Sequence, residues 1–229
     1  RKNMRKRMTS LLLTLVMLLS LVPAMGVTAS AAETGSGSGT ADDPYVVVST
    51  YDELKAAMEK GGYVRLGADI DTASMNEGSG IGRANLIVVN SNVSLDLYGH
   101  KVTLLKYITE RSGLIDVRRG SLTIEDSKGG GELNGKNMTT GTRLYLIECY
   151  DGAKVTVNSG KLTMWSAQTA QTANAVIKNS GTVEINGGTL AISNQKNYDE
   201  VDLYLAQQDC AVSMTSLDGS SVEINGGTF

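Results

Sequence analysis

The chain is poor in residues that carry much of enzyme chemistry. It has one histidine, one tryptophan, one phenylalanine, two prolines and two cysteines in 229 residues. The single histidine, His100, excludes a histidine-rich metal site and argues against a Ser-His-Asp triad. Long apolar runs are also missing. The longest, Leu11 to Val22, has twelve apolar-dominated residues, too few for a bilayer span of about 20. Positive charge is scarce beyond the start of the chain. Residues 1–32 hold five basic and no acidic residues, so the overall net charge of -3 becomes -8 for residues 33–229. That disfavours a nucleic-acid partner and an anionic membrane surface, both of which want basic patches.

The apolar run sits in a segment built like a secretory signal. Arg5, Lys6 and Arg7 form a basic start, Pro23 and Gly26 break the run, and Ala29-Ser30-Ala31 fits small-x-small before a cleavage site. Residues 1–32 are therefore expected to be a signal peptide, leaving no stable membrane span after cleavage. The expected product is exported, secreted or on the cell surface of a bacterium. Residues 33–43 read as a flexible linker, Glu-Thr-Gly-Ser-Gly-Ser-Gly-Thr and onward. Residues 44–83 read as an N-terminal cap. Within it Thr50-x-x-Glu53 is a capping box, and Leu54, Ala57 and Met58 give one apolar face to a helix over about residues 51–60. Gly61-Gly62 ends that helix. Its expected job is to cover the open apolar end of a stacked fold.

The stack is announced by a repeat. Val183-Glu184-Ile185-Asn186-Gly187-Gly188-Thr189-Leu190 returns as Val222-Glu223-Ile224-Asn225-Gly226-Gly227-Thr228-Phe229, and looser copies begin at Val93, Leu122 and Val155. Each unit of about 30 residues holds three short strand patterns separated by turns. Residues 84–229 are thus expected to be an all-β parallel β-helix with three strands per coil, about five coils, truncated at the C-terminus. The 26 glycines suit its many turns. Val183 and Ile185 are expected to face inward, Glu184 and Asn186 outward. Asn158, Asn186 and Asn225 are expected to form an amide ladder, with glycine beside them taking positive φ at the corner. Cys149 and Cys210 fall two coils apart, roughly 9–10 Å at about 4.8 Å per strand, so both are expected to be free and packed.

Leu95-Asp96-Leu97-Tyr98-Gly99-His100-Lys101-Val102 and the two Ile-Asn-Gly-Gly-Thr phrases resemble β-helix proteins of the pectin-lyase-like superfamily. They are especially similar to secreted or surface bacterial modules described as adhesive or carbohydrate-binding. Gly39-Thr40-Ala41-Asp42-Asp43-Pro44-Tyr45 resembles their lead-in, so the resemblance covers about residues 39–229. It implies the fold, a right-handed parallel β-helix, and it makes His100 a turn residue. For activity it leaves lyases, hydrolases, adhesins and stalks open.

The leading expectation is a non-catalytic module for adhesion or carbohydrate binding, with a polysaccharide or host or cell-surface glycan as partner. The alternatives are a polysaccharide lyase or hydrolase with part of its site beyond residue 229, and a passive stalk. Aromatic rings stack on sugars, and insertions between coils often carry function. Trp165, which follows the third strand and is expected either on a loop or packed beneath the Ser166–Asn174 segment, and Tyr198, Asp199, Asp202 and Tyr204 of the Asn194–Asp209 excursion are the candidate ligand residues. No catalytic set is assigned, although Arg111, Arg118, Arg119 and Arg143 are the bases a lyase would draw on. No cofactor is expected except calcium. Glu184 and Glu223 are its candidate ligands, because carboxylates on neighbouring strands repel unless a cation or a lysine intervenes.

Overall fold

The computed structural model describes residues 45–72, 87–106, 112–137, 144–166, 174–194, 210–214 and 220–229. The chain divides into two units, Arg1–Ala31 and Ala32–Phe229, and every described residue lies in the second.

The described chain opens with strand β1 (Val46–Val48), helix α1 (Tyr51–Lys60), β2 (Gly62–Leu66) and β3 (Ile70–Asp71). Strands then come in triplets. These are β4, β5 and β6 (Ile87–Val89, Asn92–Asp96, Lys101–Lys106) and β7, β8 and β9 (Ser112–Val117, Ser121–Glu125, Glu132–Asn137). Next come β10, β11 and β12 (Leu144–Cys149, Lys154–Val157, Lys161–Ser166) and β13, β14 and β15 (Ala175–Asn179, Thr182–Ile185, Thr189–Asn194). Strands β16 (Cys210–Met214) and β17 (Ser221–Ile224) complete the order. Each member of a triplet joins a different sheet. Sheet 1 runs β4-β7-β10-β13-β16, sheet 2 runs β1-β2-β5-β8-β11-β14-β17 and sheet 3 runs β3-β6-β9-β12-β15. Neighbours within a sheet are parallel throughout. The fold is a parallel β-helix.

The repeated phrase is the register. Val93, Leu122, Val155, Val183 and Val222 lie side by side in sheet 2. Val183 and Ile185 are fully buried, as are the matching Leu122, Ile124, Val155 and Val157. Each such side chain contributes about 1.5–3 kcal/mol by leaving water. The amide ladder forms: Asn186 Nδ2 donates to Asn158 Oδ1 at 3.0 Å, and Asn225 Nδ2 to Asn186 Oδ1 at 2.9 Å. The two glycines after Asn186 have different reasons. A Cβ on Gly187 would stand 2.5 Å from the Asn158 carbonyl oxygen of the coil beneath, while Gly188 has φ +83° at the corner.

The capping box is present, with Glu53 N donating to Thr50 Oγ1 at 3.3 Å and Thr50 N to Glu53 Oε2 at 3.2 Å. Helix α1 buries Leu54, Ala57 and Met58, and Tyr51 as well, in the core shared with the first strands. Cys149 is free and buried, and burial pushes its thiol up to about 11. The backbone of Cys210 lies in β16, two strands from Cys149 in β10.

One feature of sheet 2 is absent from the repeat. Arg65 of β2 lies between two tyrosine rings, 3.9 Å from the Tyr45 centroid and 4.3 Å from that of Tyr98. These two tyrosines are the non-glycine residues with positive φ among those described, 71° and 48°. Arg65 Nε and Nη2 each reach Asp96 Oδ2 at 3.0 Å. Asp96 is fully buried and also accepts from Tyr98 N, Ser127 N and Ser127 Oγ. Tyr45 donates its hydroxyl to Glu125 Oε1 at 3.1 Å.

Candidate functional site

Sheet 1 carries a row of charge. Its strands send two successive apolar residues into the core, Leu114-Ile115, Leu146-Ile147 and Val176-Ile177, all fully buried. The next residue of each strand then falls on the opposite face. These residues are Asp116, Glu148 and Lys178, and they stand in register on β7, β10 and β13. Lys178 Nζ contacts Glu148 Oε1 at 2.5 Å, and Gly113 N donates to Glu148 Oε2 at 3.2 Å. Arg118 Nη2 donates to Asp116 Oδ2 at 3.0 Å, and the Tyr150 hydroxyl lies 3.4 Å from the same oxygen. Two rings flank the row: Lys178 Nζ is 5.1 Å from the Tyr145 centroid, and the Arg118 guanidinium is 5.8 Å from that of Tyr150.

Burial acts most strongly on Asp116 and its neighbour Tyr150. Asp116 is 1% exposed. Burial pushes its carboxyl above the usual range, aided by the charge of Glu148 and opposed by Arg118. Asp116 Oδ1 is buried with no hydrogen-bond partner among the described residues. Burial, followed by the Asp116 and Glu148 charges, raises the Tyr150 hydroxyl to about 12. Two neighbouring carboxylates therefore sit in unlike surroundings, one desolvated and the other against a lysine.

Sheet 3 holds Trp165. It lies inside β12 rather than on a loop, in register with Lys136 of β9 and Ser193 of β15, and residues 167–173, the other expected neighbours, lie outside the described residues. Leu162 and Met164 are buried in the core, so Lys161, Thr163 and Trp165 share the outer face. Trp165 is half-buried there. The adjacent column of that face is Thr103, Asn134 and Thr163, and the next is Lys101, Glu132 and Lys161. Glu132 organises them: Thr163 Oγ1 donates to it at 2.7 Å, Lys101 Nζ lies at 3.1 Å and Lys161 Nζ at 3.6 Å. Burial raises the Glu132 carboxyl, but the Thr163 hydroxyl and the two ammonium groups outweigh it and hold the group below the usual range.

The other sequence candidates scatter. Tyr198, Asp199, Asp202 and Tyr204 lie outside the described residues, as do Arg111 and Arg143. Glu184 and Glu223 stand in register on β14 and β17, the neighbouring position that the repeat implied. Glu184 is engaged from its other side: Lys154 of β11, across β14 from β17, has its Nζ 2.7 Å from Glu184 Oε2, and Asn186 Nδ2 donates to Glu184 Oε1 at 3.1 Å. No group of three or more His, Cys, Asp or Glu among the described residues is placed to hold a metal. His100 is at the turn after β5, its Nδ1 3.3 Å from Asp69 Oδ1. The charged row of sheet 1 is hard to find in the sequence because the apolar run from Leu144 ends at Ile147, one residue short of Glu148. Carrying each strand one residue past its apolar run aligns Asp116, Glu148 and Lys178.

No family model, curated protein or solved structure matches the chain.

Proposed function

We propose that this chain is a secreted or cell-surface β-helix module that binds carbohydrate without transforming it, in an adhesive or glycan-recognising role. The observation that carries the reading is Trp165, half-buried on the outer face of sheet 3, in register with Lys136 and on the same face of β12 as Thr163. An indole face stacks on the apolar face of a sugar ring, while hydroxyl and ammonium groups meet its hydroxyls. A sheet repeating at about 4.8 Å per strand suits an extended polymer. The net charge of -8 on residues 33–229 favours a glycan over a nucleic acid.

The test is a glycan array and polysaccharide pull-down with the full chain and with Trp165→Ala, each with and without calcium. Saturable binding that weakens at least about tenfold in Trp165→Ala, the loss of roughly 1.4 kcal/mol, supports the reading. Undiminished binding by that variant moves the site off sheet 3, and calcium dependence would support a cation at Glu184 and Glu223. No binding leaves the passive stalk.

A second reading rests on a specific observation, the split environments of Asp116 and Glu148. A polysaccharide hydrolase would use Asp116, whose carboxyl burial holds above the usual range, as the acid and Glu148 as the second carboxyl group. A lyase would instead draw a base from Lys178, since Asp116 holds the Arg118 guanidinium in its charged form. Release of oligosaccharides in the same assay, abolished by Asp116→Asn, would replace the first reading with this one.

A further inference from the structure

The geometry points to a covalent amide between Lys178 and Glu148, formed by the folded chain itself and tying β13 to β10. Three observations assemble the reaction. The nucleophile touches its electrophile, Lys178 Nζ against Glu148 Oε1. The other carboxyl oxygen, Oε2, accepts from the backbone N–H of Gly113 at 3.2 Å, the position of an oxyanion donor. Beside Glu148 in register stands Asp116, buried, with Oδ1 unpartnered among the described residues. The side chains are sheltered, with 24% of Lys178, 10% of Glu148 and 2% of Asp116 exposed.

The step balances without a co-reactant. Lys178 gives one proton to Glu148 Oε1 across their contact, which leaves an amine and a neutral carboxyl. The Nζ lone pair adds to Glu148 Cδ, and negative charge gathers on Oε2 against the Gly113 N–H. Asp116 takes a second proton from Nζ and passes it to the departing oxygen. One C–N bond forms, one C–O bond breaks and one water leaves. Holding amine and carboxyl together is worth an effective molarity of about 10⁵–10⁸ M, which offsets the water that opposes amide formation in solution.

A neighbouring pair lacks these features. Lys154 and Glu184 are also close, at 2.7 Å, but their side chains are 47% and 26% exposed. The register neighbour of Glu184 on β17, Glu223, is exposed. That pair is an ordinary surface salt bridge. A link between Lys178 and Glu148 would join two successive coils and remove both charges, which suits a module under tension and conflicts with the hydrolase reading.

The test is the intact mass of the full chain, purified folded and measured in denaturant. The expected mass is one water below that of the same residues uncrosslinked, with one branched peptide holding Lys178 and Glu148 after digestion. Glu148→Ala and Lys178→Arg should restore the sequence mass, and Glu148→Gln should lose ammonia in place of water. Asp116→Asn should slow the mass change in a refolding time course. A sequence mass for the wild-type chain with a native circular dichroism spectrum overturns the proposal, whatever the glycan assay gives. A mass change as fast in Asp116→Asn as in wild type removes Asp116 from the step.

Discussion

Replacing Arg65 with alanine tests how the first coil is held. The substitution strands a fully buried carboxylate, Asp96, and empties the space between the Tyr45 and Tyr98 rings. Removing one partner of a buried ion pair costs roughly 3–5 kcal/mol. The lower end applies, because Asp96 keeps three donors, Tyr98 N, Ser127 N and Ser127 Oγ. Each ring contact adds about 0.5–1 kcal/mol. The two tyrosines also sit at positive φ, a strain of about 1–3 kcal/mol apiece that the stack helps to hold. The expected loss is therefore about 4 kcal/mol, or roughly 8–16 °C in Tm for a unit of this size. Arg65→Lys keeps the charge but not the planar stack, so it should lose about 1–2 kcal/mol. The assays are thermal melting and hydrogen exchange of β1 and β2.

pH gives a second readout of the same site. Burial raises the Asp96 carboxyl, but the Ser127 and Tyr98 donors and Arg65 outweigh it, so the folded value lies below the unfolded one. The stability it contributes is present above the unfolded value, about 3.9, and is lost as pH falls through the folded value. Arg65→Ala should flatten that acid limb in part. A loss below about 1 kcal/mol in Arg65→Ala, within the range of an exposed pair, together with an unchanged acid limb, would refute the reasoning.

Two further predictions concern the ladder and the charged row. Asn186→Ala removes the donor to Asn158 and Glu184 and the acceptor for Asn225. These groups are exposed, so the expected loss is about 1 kcal/mol, read as a lower urea midpoint with unchanged slope; an unchanged midpoint would make the ladder decorative. Asp116 has the opposite pH sign from Asp96, because burial raises its folded value. Its contribution is full below about pH 4, the unfolded value, and is lost as pH rises through the folded one. Asp116→Asn should therefore be relatively more stable at pH 7 than at pH 4 when its urea midpoints are compared with wild type. An equal difference at both pH values would mean that Asp116 is solvated.

The division between legible and illegible features reflects the physics of a solenoid. Period and alternation are local, and in a parallel β-helix each coil repeats the constraints of the last. Two copies of Val-Glu-Ile-Asn-Gly-Gly-Thr therefore suffice for the register of sheet 2, the inward Val183 and Ile185, and the ladder at Asn158, Asn186 and Asn225. The capping box likewise places α1, since its hydrogen bonds span three residues. Strand β9 carries no such signal, because Gly135 interrupts its apolar pattern. A Cβ there would meet Met164, Leu114 and Leu146, and only neighbouring coils reveal that the space is taken. The charged row is invisible for a similar reason. Asp116, Glu148 and Lys178 lie about 30 residues apart, each after two consecutive inward residues that break the simple alternation. The sequence alone determined the coil and its amide seam, because the strand pattern recurs from coil to coil and the asparagine recurs in the last three copies. Only the tertiary structure decided which single side chains meet across the coils, Arg65 with Tyr45, Tyr98 and Asp96, and Lys178 with Glu148, because each of these contacts occurs once and no periodicity announces it.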